Sequence, residues 1–296
     1  MSFEQLLQYL LSGVTMGSIY AIVAIGYNII YNTTGIINFA QGEFVMLGGM
    51  TAISFNFFMP LPLAIFLSVI IVSFVGAFID IVFIRNLKKP SVLNMIIVTI
   101  GLSTVIREVA LHIWDEKVRS LPYFTGDESS SINIFGAYIS PQVLWVLGVS
   151  AVIVIGLTFF FKYTLPGRSM RACSANITAA QLCGVNAKNM VTLSFMLSAA
   201  IGAIAGTVVS PITMTQYDGG TSLAIKGFAV AILGGLGNST GAVVGGIVIG
   251  VLEALSISIL PSAYKDAIAI ALLLLILFIK PSGLFGSSEV SALKEY

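Results

Sequence analysis

Residues 162–188 read KYTLPGRSMRACSANITAAQLCGVNAK, the one long polar run in the middle of a chain that is otherwise almost continuously apolar. It holds Lys162, Arg168, Arg171 and Lys188 and no acidic residue, so the positive-inside rule places it in the cytoplasm between two membrane spans. Pro166-Gly167 breaks the preceding helix. Asn176 serves as N-cap of a short helix that Gly184 ends as a C′ residue. Such a helix is only about 10 Å long, and Ala172, Ala175 and Ala179 leave room for close contact. Two readings stand side by side: a docking element, or a solvated linker whose charges set topology.

Outward from this loop, everything reads as membrane. The chain is 57% hydrophobic and 9% charged, against roughly 25% charged in ordinary soluble domains. That composition excludes a water-soluble globule. With spans of about 20 residues, 296 residues hold eight or nine helices: an all-α polytopic bundle with broken or re-entrant segments. A single membrane domain over 1–296 is expected, with the loop at 162–188 and a tail at 281–296. The spans are expected at 6–30, from Ile36 past Gly49, at 63–84, 92–112, 141–161 and 190–210, then a split region over 224–260, and a last span at 266–280. Tyr31–Gly35 reads as a turn, and 113–140 as the largest external loop. Arg85, Lys88, Lys89, Lys280 and Lys294 join the loop's cations on the cytoplasmic side, while Lys117, Arg119 and Lys265 fall outside with Asp115, Glu116, Asp127, Glu128, Asp218 and Asp266. The N-terminus is therefore expected outside and the C-terminus inside.

Polar groups at membrane depth are costly and usually face a cavity or the bundle interior. Asn38, Gln41 and Glu43 open an otherwise apolar segment, and Glu253 lies mid-helix; all four are pathway candidates. Each carboxylate keeps a second reading: Glu43 as an interfacial charge at a helix N-terminus, Glu253 as a structural hydrogen-bond partner. Asp80, one turn before Arg85, reads as a structural pairing near the interface. Residues 234–241 (GGLGNSTG) cannot continue a regular helix without cost, so Gly234 and Gly235 mark either a cytoplasmic turn or a pathway wall. No Gly-x-x-x-x-Gly-Lys-Ser/Thr pattern occurs, so ATP hydrolysis is not expected of this chain. Ser239 and the lone His112 are predicted at opposite faces, which leaves no catalytic residues for an intramembrane hydrolase. Cys173 and Cys183 have no histidine nearby and make a metal site improbable; no cofactor is expected.

Three separated motifs carry a family resemblance. They are Gly13-x-x-x-Gly17-Ser18-Ile19-Tyr20-Ala21 with Ile36–Glu43, then Gly167–Ala172 through Gly184-Val185-Asn186, then Ala231–Gly237 with Glu253-Ala254. In this order they resemble the LivH-type permeases of branched-chain amino acid ABC transporters. Thr178–Gly184 resembles the EAA loop by which such permeases engage their ATPase; Thr178 stands where many carry Glu, while Ala179, Ala180 and Gly184 keep the pattern. The resemblance implies half of a two-permease pathway in a bacterial-type inner membrane. It implies a second homologous permease, two cytoplasmic ABC ATPases and an external substrate-binding protein as partners, and no nucleic acid. Arg168 and Arg171 would help seat the loop on the ATPase. Leucine, isoleucine and valine are the first expected cargo. The rivals are an ion-coupled secondary transporter using Glu43 and Glu253 and a passive channel for small polar solutes.

Overall fold

In hydrocarbon a backbone must satisfy its own hydrogen bonds, so the long apolar runs fold as helices. The structure, a computed structural model, describes residues 3–87, 91–134 and 136–258, with 267, 270, 271, 274, 275, 278, 280 and 282–286 beyond them. The described helices are α1 (Phe3–Thr34), α2 (Gln41–Asn56), α3 (Leu61–Ile79) with a π-helical turn at Asp80–Ile84, α4 (Val92–Trp114) and α5 (Pro141–Tyr163). After these come α6 (Leu165–Ala175), α7 (Ile177–Leu182), α8 (Ala187–Thr213), α9 (Gly219–Gly234) and α10 (Ser239–Ser256). Six of them, α1, α3 with its π turn, α4, α5, α8 and α10, are long and apolar enough to cross a membrane. The expected all-α polytopic bundle with interrupted segments is the observed one. Most of the span expected at 266–280, Lys88, Lys89 and most of the 281–296 tail lie outside the described residues.

Three local expectations need correction. Helix α1 runs through Tyr31 to Thr34 and stops at Gly35, whose φ is +69°; the Thr33 and Thr34 hydroxyls donate back to Ile29 O and Ile30 O at 3.2 and 2.7 Å and stay within the helix. Pro166 and Gly167 do not merely end α5. They sit in the first turn of α6, where Thr164 Oγ1 accepts from Gly167 N at 3.2 Å and proline's missing N–H costs nothing. The external loop contains an antiparallel hairpin, β1 (Ile132–Ile134) with β2 (Ala137–Ile139). Gln8 extends its edge like a third strand, donating to Tyr138 O at 2.7 Å and accepting from Tyr138 N at 2.8 Å.

The chain divides into two compact units. The first comprises Gly26–Leu121 and Val152–Ala224, and its centre is α2, α3 and α8. Small residues bring these helices together: a Cβ on Gly76 would lie 2.6 Å from Phe195 O, and Gly48 abuts Ala203. Ile30, Phe44, Val72, Ile79, Leu102 and Phe195 fill the core. Buried Asp80 accepts from Thr192 Oγ1 at 2.6 Å and lies 3.9 Å from Arg85, the structural pairing the sequence pointed to. Outward, Phe66, Phe74 and Phe78 on α3 and Val105 and Val109 on α4 are exposed, a surface suited to hydrocarbon.

The second unit comprises Met1–Ile25, Pro122–Ala151 and Ile225–Tyr296. Here α1 meets α10 backbone to backbone: a Cβ on Gly13 would lie 2.6 Å from Val251 Cα, and one on Gly17 would lie 2.8 Å from Ile247 Cα. Close approach of this kind holds helices together where no hydrophobic driving force separates lipid from leucine. The expected break between α9 and α10 is present at residues 235–238. Asn238 restarts the helix by accepting from Gly241 N at 2.9 Å, and Leu233 O receives Leu284 N at 2.7 Å.

Candidate functional site

Around the N-terminus of α2, in the first unit, the fold gathers an uncommon set of polar side chains. Glu43 is 1% exposed. Its Oε1 accepts from Ser103 Oγ on α4 at 2.8 Å, and its Oε2 has no hydrogen-bond partner among the described residues. The charged groups close enough to act on it are Arg107, one turn beyond Ser103 on α4, and Asp218, just before α9. Arg107 forms no ion pair with it among the described residues and donates instead to Thr221 Oγ1 at 3.2 Å. Asp218 Oδ1 is likewise buried without a hydrogen-bond partner among the described residues. Gly42 and Gly220 pack against one another, and a Cβ on Gly220 would lie 3.0 Å from Glu43 Oε2. Glu43 stands in the first turn of α2, as its helix-N-terminus reading expects, and is buried there among protein groups.

Asn38 and Gln41 sit beside this cluster with different occupations. Asn38 Oδ1 accepts from Ala40 N at 3.1 Å, while its Nδ2 is buried without a hydrogen-bond partner among the described residues. It lines a small apolar cavity with Ile30, Ile84, Met95, Thr99 and Phe195. The Gln41 amide is engaged on both sides by Ser198: Oε1 accepts from Ser198 Oγ at 2.6 Å and Nε2 donates to Ser198 O at 3.3 Å. Ser198 Oγ also reaches Gly26 O at 2.8 Å, so this amide ties α2 to α8 and α1.

Glu253 belongs to the second unit and meets a different environment. Lys226 Nζ lies 2.9 Å from its Oε1, and Tyr20 Oη donates to the same oxygen at 3.2 Å. Lys226 also donates to Tyr20 Oη at 3.2 Å and lies 5.3 Å from the centre of its ring. A buried carboxylate with an ammonium this close is neutralised where it stands. Helix α9 ends at Gly234, which packs on Gly241, and Gly235 just beyond it turns at φ +93° against the backbone of Gly286.

The third group is the polar loop. Helix α7 is capped as its sequence predicts: Asn176 Oδ1 accepts from Ala179 N at 2.9 Å, and Gly184 turns the chain at φ +85°, a conformation that penalises any residue with a Cβ. Ala180 packs inward on Cys173 and Ala187, while Thr178 and Ala179 are exposed. So are Ile177 at 47% and Leu182 at 85%. Arg168 Nε donates to Lys162 O at 3.1 Å, and Arg171 is exposed. Burial pushes the Cys173 thiol pKa up; Cys183 is exposed.

Sequence reasoning missed Lys226, Tyr20, Ser103 and the part played by Arg107 and Asp218. Lys226 carried a usable signal: a lone cation inside an apolar run demands a counter-charge, and Glu253 was the unassigned one.

Apolar helices long enough to span, interrupted helices and an exposed capped helix between spans together define the class of multi-pass membrane proteins. A family described as branched-chain amino acid transport system, permease component, matches residues 9–277, and the chain belongs to it. It is 33% identical over 299 residues to the high-affinity branched-chain amino acid transport system permease protein BraD of Pseudomonas aeruginosa, covering 96% of this chain and 97% of that one. It is 35% identical to the permease protein LivH of Salmonella typhimurium over 97% of this chain and 98% of that one. Similarity extends to a probable LivH permease of Methanocaldococcus jannaschii, at 27% identity over 91% of this chain and 89% of the other.

Proposed function

We propose that this chain is the permease subunit of a binding-protein-dependent ABC importer, forming half of the translocation pathway for amino acids, branched-chain ones first. The carrying observation is α7, a capped helix of six residues whose outer face presents Ile177 and Leu182 to solvent beside the basic residues Arg168 and Arg171. That face fits a cytoplasmic ATPase surface, with Thr178 and Ala179 at the contact, Ala180 seating the helix from its inner side and Gly184 setting the turn. Two ATPases, a second homologous permease and an external binding protein complete the assembly. The N-terminus lies outside and the C-terminus in the cytoplasm. Asn38, Gln41 and Glu43 shape the pathway in the first unit, and Gly234 and Gly235 shape it in the second, where Glu253 takes the structural role of its two readings, held by Lys226.

The test is leucine uptake into vesicles that hold the chain with its partner subunits and binding protein, comparing wild type with Gly184→Asp and Leu182→Asp. ATP-dependent uptake lost in both variants while the chain stays folded supports this reading. Uptake by the chain alone, driven by a sodium or proton gradient, overturns it.

A further inference from the structure

The cluster around Glu43 brings two carboxylates, Glu43 and Asp218, to the side of Arg107, whose guanidinium reaches Thr221 next to the Gly220 backbone that Glu43 faces. Each carboxylate has one buried oxygen with no partner among the described residues. Glu43 is itself 1% exposed, and its Oε2 points toward the Gly220 backbone, which leads from Asp218 to Thr221. Buried acceptors without donors cost free energy, and three parts of the chain converge to hold them: Glu43 on α2, Ser103 and Arg107 on α4, and Asp218 before α9.

We propose that this cluster is the binding site for the charged end of the transported amino acid, with Glu43 and Asp218 accepting its α-ammonium and Arg107 its α-carboxylate. The inference rests on the importer reading and names the group of the substrate that this part of the pathway recognises. An ammonium carries three donors and no acceptor, which matches acceptors left without donors. A guanidinium matches a carboxylate in a two-pronged geometry. A site for a bare cation has no use for Arg107; a zwitterion needs both signs. Ser103 holds Glu43 in place from one side and is a positioning residue.

The experiment uses the assembled complex in proteoliposomes, with its binding protein and leucine as probe, and reads both uptake and binding-protein-stimulated ATP hydrolysis. Glu43→Gln with Asp218→Asn lowers leucine uptake about tenfold or more, the order expected for charge-assisted hydrogen bonds, while stimulated hydrolysis stays within about twofold, since the loop is untouched. Arg107→Lys, which keeps the charge and loses the fork, lowers uptake severalfold and guards against a double variant that fails to assemble. Uptake within twofold of wild type in both variants overturns the ammonium site. Dependence of wild-type uptake on sodium or on a proton gradient at fixed ATP also overturns it, by assigning the cluster to a cation. If wild type itself shows no ATP-dependent uptake, the importer reading fails instead, and the two failures are separate.

Discussion

Glu43 and Glu253 are the same residue type, each 1% exposed, and the sequence offers the same two kinds of reading for both. Their surroundings differ in one respect. Glu253 has an ammonium at 2.9 Å and a phenol at 3.2 Å on one oxygen. Glu43 has a single hydroxyl at 2.8 Å and no ion pair among the described residues. A charge closed by a packed partner stabilises a fold only as a pair. A charge left open is a cost that the fold carries, and such costs collect at functional sites. On the proposed reading, Glu253 serves structure and Glu43 serves chemistry.

The strongest way to break this comparison is to remove the partner on the closed side. Lys226→Met leaves Glu253 buried opposite an apolar chain, and stability falls by about 3–5 kcal/mol, the usual cost of uncovering one member of a buried pair. Lys226→Met with Glu253→Leu removes both charges and returns stability to wild type or slightly above it. Thermal unfolding in detergent, followed by intrinsic fluorescence, reads both. If the double variant is no more stable than the single one, Lys226 and Glu253 are not acting as a pair and the contrast with Glu43 is lost.

Smaller trimming sharpens the contrast. Ser103→Ala takes away the hydroxyl on Glu43 and costs about 1.5–3 kcal/mol, the range for a hydrogen bond to a charged group. Tyr20→Phe takes away one of two donors on Glu253 and costs about 1 kcal/mol, because Lys226 stays at 2.9 Å. The order of the two unfolding shifts is the measurement. A larger loss for Tyr20→Phe would mean that the phenol, and not the ammonium, organises the second unit's charge.

Long-range pairing of this kind explains where the sequence was legible and where it was not. Runs of apolar residues locate spans because burial in lipid acts on each segment separately, so α3, α4, α5 and α8 begin and end within a few residues of their expected limits. The Asn176 cap, the Gly184 turn and the break before Asn238 were equally readable, since each is set by local backbone chemistry. The hairpin at 132–139 left a weaker trace: Ile132-Asn133-Ile134 and Ala137-Tyr138-Ile139 alternate around Gly136, a pattern that hydropathy alone passes over. Partners separated by long stretches of chain were out of reach. Glu43 meets Ser103 across 60 residues and Tyr20 meets Glu253 across 233, and no periodicity connects them. Gln41 shows the same limit, since only the fold reveals that Ser198 occupies its amide.

The smallest expected effect on stability is also the most decisive for the comparison. Glu43→Gln keeps an oxygen for Ser103 and removes a buried charge that has no ion pair among the described residues. Losing that charge relieves desolvation, while the hydrogen bond is weakened from a charged acceptor to a neutral one. These terms oppose each other, and unfolding is expected to shift by about 1 kcal/mol or less in either direction. Leucine uptake by the complex falls about tenfold in the same variant. A permease that keeps its stability and loses its transport places Glu43 on the path of the substrate. One that loses both in proportion makes Glu43 a second Glu253, a carboxylate that serves packing alone.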